Sequence, residues 1–215
     1  MFITLEGPDG GGKTTQLAWL AKFLRQTGYS VLATREPGGT SIGDQIRSVL
    51  FDLKNTAMQP RAEFLLFQAS RAQLVEEVIR PHLALGEVVL CDRYADSTLA
   101  YQGYGHCQDL TLLRTIVGFA TGGLQPDLTL LLDVDVELGL RRRIQGGDWN
   151  RLDAYDLEFH RRVRQGYLEM ARLEPGRWVV IDANLSPEIV QKALRLEVKR
   201  QLEQRAQGGL VNSLA

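Results

Sequence analysis

Glu6-Gly7-Pro8-Asp9-Gly10-Gly11-Gly12-Lys13-Thr14-Thr15 decides the fold. Within it, Gly7, four residues, then Gly12-Lys13-Thr14 have the spacing of a loop that cradles phosphate. Glycines let backbone N–H groups crowd round a polyphosphate without Cβ clashes. A helix starting at the end of such a loop adds the positive end of its dipole. Lys13 then reaches the β- and γ-phosphates, and the Thr14 hydroxyl can ligate Mg²⁺. The same glycines would also suit a turn before an ordinary helix, so the flanks decide. Phe2-Ile3-Thr4-Leu5 reads as a short buried strand, and Leu17, Leu20, Ala21 and Leu24 follow at helical spacing. Strand, loop and helix are the setting that phosphate binding requires.

Outward from this stretch, apolar strands alternate with helices. Val31–Thr34, Val88–Cys91, Leu128–Leu132 and Trp178–Ile181 read as further strands. The sequence predicts helices over Ile42–Leu53, Arg61–Leu85, Leu110–Ala120, Val136–Gln145, Asp156–Ala171 and Glu188–Arg205. Crossovers longer than about a dozen residues mean a parallel sheet with helices on both faces and right-handed connections. The fold class is α/β, one domain over residues 1–205, with residues 206–215 read as a loose tail.

Polar clusters fall at the carboxyl ends of the strands, where open α/β sheets bind ligands. Thr34-Arg35-Glu36-Pro37-Gly38-Gly39-Thr40 suits a second phosphate, with Pro37 able to take a cis bond. Alone, it would equally read as a Pro-Gly turn with a solvated arginine. Asp92-Arg93-Tyr94 puts a carboxylate where it can hold Mg²⁺ through water, next to an arginine that can neutralise phosphate. Phe67 and Arg71 stand four apart on one helix face. Together they suit a stacked base, or equally a core ring and a surface arginine. Arg141-Arg142-Arg143 runs into Gly146-Gly147-Asp148-Trp149-Asn150-Arg151, the composition of a glycine-hinged lid over about residues 141–153.

Composition narrows the function classes. Lys and Arg total 25 against 26 Asp and Glu, which argues against a nucleic-acid partner. Cys91 and Cys107 have neither zinc nor redox spacing. No apolar run approaches the ~18 residues of a membrane span. The first strand begins at residue 2, leaving no room for a leader, so a cytoplasmic location is expected.

The chain resembles the thymidylate kinases over nearly its whole length. The resemblance rests on the phosphate loop, on Arg35-Glu36-Pro37-Gly38-Gly39-Thr40, and on Asp92-Arg93-Tyr94 with Ser97-Thr98 and Tyr101-Gln102-Gly103. It implies the phosphate-loop nucleoside monophosphate kinase fold, with a five-stranded parallel sheet. It also implies transfer of the ATP γ-phosphoryl group to dTMP with Mg²⁺, a homodimer, and a place in dTTP synthesis. By that resemblance, Gly7, Pro8, Asp9, Gly10, Gly11, Gly12, Lys13, Thr14 and Thr15 hold the donor phosphates. Asp9 meets the acceptor's 3′-hydroxyl, Arg35 serves the dTMP phosphate, and Glu36 and Pro37 belong to the dTMP site. Phe67 stacks on thymine and Arg71 bonds its O4. Thr98 and Gln102 contact the base, and Tyr101 crowds the 2′ position. Thr14 and Asp92 are the metal-side groups, Asp92 partly through water, and Arg93 is the phosphate-side arginine.

Some members of that family carry an arginine inside the phosphate loop, where this chain has Gly10 and Gly11. The charge on the transferring phosphoryl must still be met. Arg143 or Arg151 of the lid is therefore expected to join Lys13, Asp9 and Arg93 as a catalytic group. Another nucleoside monophosphate or deoxynucleoside kinase, or a non-catalytic nucleotide switch, is the alternative. A guanine-reading Asn-Lys-x-Asp is absent, and an acceptor site has no purpose in a switch.

Overall fold

A computed structural model describes residues 1–147 and 150–212, with side chains to Arg205. Asp148 and Trp149 of the expected lid loop lie outside the described residues. The strands are β1 (Phe2–Glu6), β2 (Val31–Arg35), β3 (Val88–Asp92), β4 (Leu128–Asp133) and β5 (Trp178–Asp182). They form one parallel sheet in the order β2-β3-β1-β4-β5. The chain fills one side of β1 first and then crosses to the other. That switch point is where a doubly wound sheet opens a crevice at its carboxyl edge, and the phosphate loop leaves β1 into it.

Alternation along the strands separates two cores. Ile3, Leu5, Leu90, Leu130 and Leu132 face α1 (Lys13–Gln26) and α9 (Pro187–Asn212), meeting Leu17, Leu20, Leu24, Leu194 and Val198. On the opposite face lie α3 (Pro60–Leu74), α6 (Leu110–Thr121) and α8 (Leu157–Leu173). There Leu131 and Trp178 pack with Phe64, Val117, Phe159 and Tyr167, and Phe2, Val89 and Cys91 pack with Leu74 and Ile79. Both faces are covered, so the strands read as unbroken apolar runs.

The remaining helices shape the crevice. They are α2 (Ser41–Phe51), α4 (Arg80–Ala84), α5 (Ala95–Thr98) and α7 (Val136–Gly146). The single helix expected over Arg61–Leu85 begins at Pro60 and passes from α3 through a π segment, Val75–Ile79, into α4. Pro81 cannot donate to the ladder, and the wider turn lies just ahead of it. A second π segment, Leu99–Gly105, continues α5 and carries Tyr101 and Gln102. The loose tail expected from residue 206 is corrected: the backbone of α9 stays helical to Asn212. Gln204, Arg205, Ala206 and Gln207 are good helix formers, and no proline stops the run.

Candidate active site

The phosphate loop depends on glycine at two close approaches. Gly7 has φ 134°, and a Cβ there would lie 2.3 Å from the Leu132 carbonyl oxygen. Gly10, at φ 76°, presses on the backbone of Gly139 in α7, so any side chain would push the two apart. Gly12 stands before α1 in the left-handed region, and no side chain caps the helix. Its first N–H groups are therefore left for an external anion. Lys13 folds back over the loop and donates to the carbonyls of Gly7 (2.9 Å) and Pro8 (2.7 Å). Burial, with Arg93 close by, pushes its ammonium down to about 8. Thr14 donates to Asp92 Oδ2 at 2.6 Å.

Arg93 follows β3 with φ 70°, an unusual conformation for a residue with a Cβ. Its side chain rewards that strain with five contacts. Nη2 donates to Asp9 Oδ1 (2.6 Å) and to the Tyr101 hydroxyl (3.1 Å). Nη1 donates to the Gly7 carbonyl and to the hydroxyls of Ser97 and Tyr167. Tyr101 in turn donates to Asp9 Oδ2. Burial opposes ionisation of Asp9, but Arg93 and Lys13 outweigh it and hold the carboxyl well below the usual range. Beneath, the Glu6 carboxylate accepts from the Tyr94 N–H, Ser97 and Tyr167. Burial, reinforced by Asp96, raises Glu6 to about 7.

Two concavities meet at this hub. The inner one is lined by Phe67, Arg71, Thr98, Tyr101, Gln102 and Pro37, among others. Arg71 is buried and charge-paired, donating to Glu36 Oε2 at 2.8 Å, Thr98 Oγ1 at 2.9 Å and the Tyr94 carbonyl. Glu36 Oε1 is buried without a hydrogen-bond partner, and burial pushes the carboxyl up against the pull of Arg71. The Glu36–Pro37 bond is cis. The outer cleft holds Lys13, Thr14, Thr15, Asp92, Arg35, Arg142 and Arg143. Asp9, Glu36, Phe51, Arg93 and Asn150 border both concavities.

The sequence-predicted residues thus converge, with two exceptions. Arg35 borders the outer cleft and pairs with Asp44 at 3.2 Å, away from the inner cavity. Arg151, expected as a possible catalytic lid arginine, lies in neither concavity. It is buried, bonded to Glu63, the Leu50 carbonyl and Tyr155. It opens the 3₁₀ turn Arg151–Ala154, which packs against α2. Arg143 borders the outer cleft and is braced by Asp153, 2.7 Å away.

Three residues escaped the sequence reading. Arg47 borders the outer cleft, bonds the Pro37 carbonyl and lies over the Phe51 ring. Tyr167 completes the Arg93 and Glu6 contacts from α8. Glu63 sits four before Phe67 and eight before Arg71, so the helical spacing that joined those two extends to it. A buried carboxylate on the face of an aromatic and an arginine was the available signal.

A parallel sheet with a glycine-rich loop at its switch point, a lysine folded into that loop and a second cavity alongside define a phosphate-loop phosphotransferase. The thymidylate kinase family model matches residues 5–194. Thymidylate kinase of Deinococcus radiodurans is 58% identical over 183 residues, covering 85% of this chain and 88% of that one. The Herpetosiphon aurantiacus enzyme is 50% identical over 227 residues, covering 94% and 96%. The crystal structure of thymidylate kinase from Ehrlichia chaffeensis superimposes with a TM-score of 0.74 at 35% identity, over 94% of this chain. The chain belongs to the thymidylate kinase family.

Proposed function

We propose that this chain transfers the γ-phosphoryl group of ATP to dTMP, giving dTDP and ADP. The observation that carries this reading is the junction of the two concavities at Asp9 and Arg93. A donor in the outer cleft and an acceptor in the inner cavity would bring their phosphates together there. Transfer through a loose transition state asks for positioning and charge neutralisation. The attacking group is a phosphate oxygen, so no general base is assigned.

In this reading the loop from Gly7 to Thr15 holds the donor phosphates, and Lys13 leaves its carbonyl partners for them. Arg93 faces the transferring group, and Asp9 fixes Arg93 and the acceptor sugar. Arg143 is the lid arginine. Phe67 stacks on the base, Arg71 and Thr98 address its O4 side, and Tyr101 walls the 2′ position. Arg35 and Arg47 stand where the acceptor phosphate meets the donor. Thr14 and Asp92 are neighbouring oxygen donors that suit Mg²⁺, which takes one or two protein oxygens and completes its shell with phosphates and water. Among the described residues no cluster of three or more metal-binding side chains competes with that pair. When bound, the ion would neutralise the donor's phosphate charge.

A homodimer fits the apolar side chains left exposed on two helices in contact: Phe119 is 89% and Leu112 57% exposed on α6, and Leu65 is 54% exposed on α3. We place the protein in the cytoplasm, in dTTP synthesis, without nucleic-acid partners. No helix of the described residues is long and apolar enough to cross a membrane.

The test is ADP release from Mg-ATP with dTMP, dUMP, dCMP, dAMP, dGMP and UMP offered in turn. The highest kcat/KM is expected with dTMP. Preference for another monophosphate, or ATP hydrolysis indifferent to all of them, would overturn the assignment.

A further inference from the structure

Gln102 lines the inner cavity, and its amide is held from behind. Nε2 donates to Glu63 Oε1 at 2.8 Å. Among the described residues, Gln102 Oε1 takes no hydrogen bond from the protein, and it is not among the sealed polar atoms. A carboxylate only accepts, so the amide must turn its NH₂ toward Glu63 and its oxygen toward the cavity. Glu63 is itself fixed. Its other oxygen, Oε2, accepts from Arg151 Nη2 and from Tyr155. Burial would raise the Glu63 carboxyl, but His106, Arg151 and Gln102 hold it below the usual carboxylate range, so it is charged near neutrality.

Beside it, Thr98 Oγ1 accepts from Arg71 Nη1 (2.9 Å) and Gln68 Nε2 (3.3 Å). Its proton is left to donate. The cavity wall therefore offers a donor, Thr98, and an acceptor, Gln102, four residues apart on one helical segment. A pyrimidine with oxygen at C4 and N–H at N3 matches that pair. One with an amino group at C4 and a bare N3 opposes it.

We propose that Glu63 is a positioning residue for base selection, fixing the Gln102 amide so that its oxygen meets an N–H at N3 of the acceptor. The role rests on the acceptor assignment made above. It acts through Gln102 and touches no substrate.

The decisive variant is Glu63→Gln. Arg151 can only donate, so the new amide must give it the oxygen and turn its own NH₂ toward Gln102. Gln102 must then reverse, presenting NH₂ to the cavity. Affinity by calorimetry and kcat/KM are measured for dTMP, dUMP and dCMP. In Glu63→Gln the dTMP-to-dCMP ratio is expected to fall by at least roughly tenfold, the scale of one polar contact turned from match to mismatch. dUMP, which shares the N3–H and differs only at C5, should fall with dTMP, and the KM for ATP should stay put. Arg151→Met leaves Glu63 facing Gln102 and should keep the ratio, even if it loosens the fold.

Should Glu63→Gln fail to fold with its buried cation unpaired, the double variant Glu63→Met with Arg151→Met removes that cation and leaves the Gln102 amide with no carboxylate to orient it. Its ratio must still drop relative to Arg151→Met alone. An unchanged ratio in folded Glu63→Gln or in the double variant, or an equal drop in Arg151→Met, overturns the role of Glu63. Wild-type protein that neither binds nor phosphorylates dTMP overturns the acceptor assignment instead.

Discussion

Lys13 carries a cost that the ligand must reverse. Desolvation disfavours its ammonium and sets the group near 8 in the free protein. A polyphosphate favours the charged form, so the bound group titrates higher. Below pH 8 the lysine is already charged and ATP affinity is indifferent to its titration. As pH rises through 8, binding must return a proton to Lys13, and affinity should fall by up to about tenfold per pH unit. Calorimetry in two buffers of different ionisation enthalpy, about one unit above and one unit below that value, should show proton uptake only at the higher pH. Lys13→Arg cannot titrate there and should abolish the uptake whatever its affinity. Equal uptake in both proteins would mean that another group takes the proton. The same burial was half legible in the sequence. The motif places Lys13 at a phosphate, but the two carbonyls that hold it and the arginine that depresses it come from the fold.

At the level of elements, the lid divides its arginines by where the backbone takes them. Arg143 ends a helix whose start touches the phosphate loop, since Gly139 of α7 packs against Asp9 and Gly10. Its guanidinium is aimed by Asp153, itself fixed in a capping box with Asn150. Arg151 belongs to the 3₁₀ turn and anchors that turn to Glu63 on α3. The sequence could not choose between the two, because charge density and a glycine hinge are common to both. What separates them is a buried carboxylate about ninety residues earlier in the chain, a pairing no local pattern encodes. Arg143→Ala is expected to slow single-turnover phosphoryl transfer by roughly a hundredfold or more at saturating ATP and dTMP. It also leaves the buried Asp153 with the Asn150 N–H but without its cation, so some stability is lost along with the chemistry. Arg151→Ala should do the reverse in emphasis. It strands a buried carboxylate, so a loss of about 3–5 kcal/mol in unfolding free energy is expected. If Arg151→Ala is the variant that loses chemistry at unchanged stability, the division is wrong.

Across the whole molecule, the strand order sets where two ligands can meet. Sheet, helices and phosphate loop were legible because apolar strands buried on both faces leave unbroken runs, and because the loop's spacing is dictated by phosphate. The π segment Leu99–Gly105 was not, since Gly103 and Gly105 are poor helix formers and the wider turn is set by the fold. That segment brings Tyr101 to Asp9 and Gln102 to Glu63, and so joins hub to cavity. The outer cleft and the inner cavity share Asp9 and Arg93 in their linings. A single molecule carrying adenosine at one end and thymidine at the other, joined through a chain of phosphates, should therefore occupy both at once. Linking two ligands makes the second binding event intramolecular, with an effective concentration reaching the millimolar range for a well-matched linker. Such a compound should bind at least roughly a hundredfold tighter than ATP or dTMP alone, and inhibit competitively against each. Its affinity should depend on phosphate number, because a chain too short to leave adenosine in the outer cleft and thymidine in the inner cavity at once forfeits one end. Competition against only one substrate, or an affinity no better than the tighter of the two, would mean that the clefts do not open onto one another in solution.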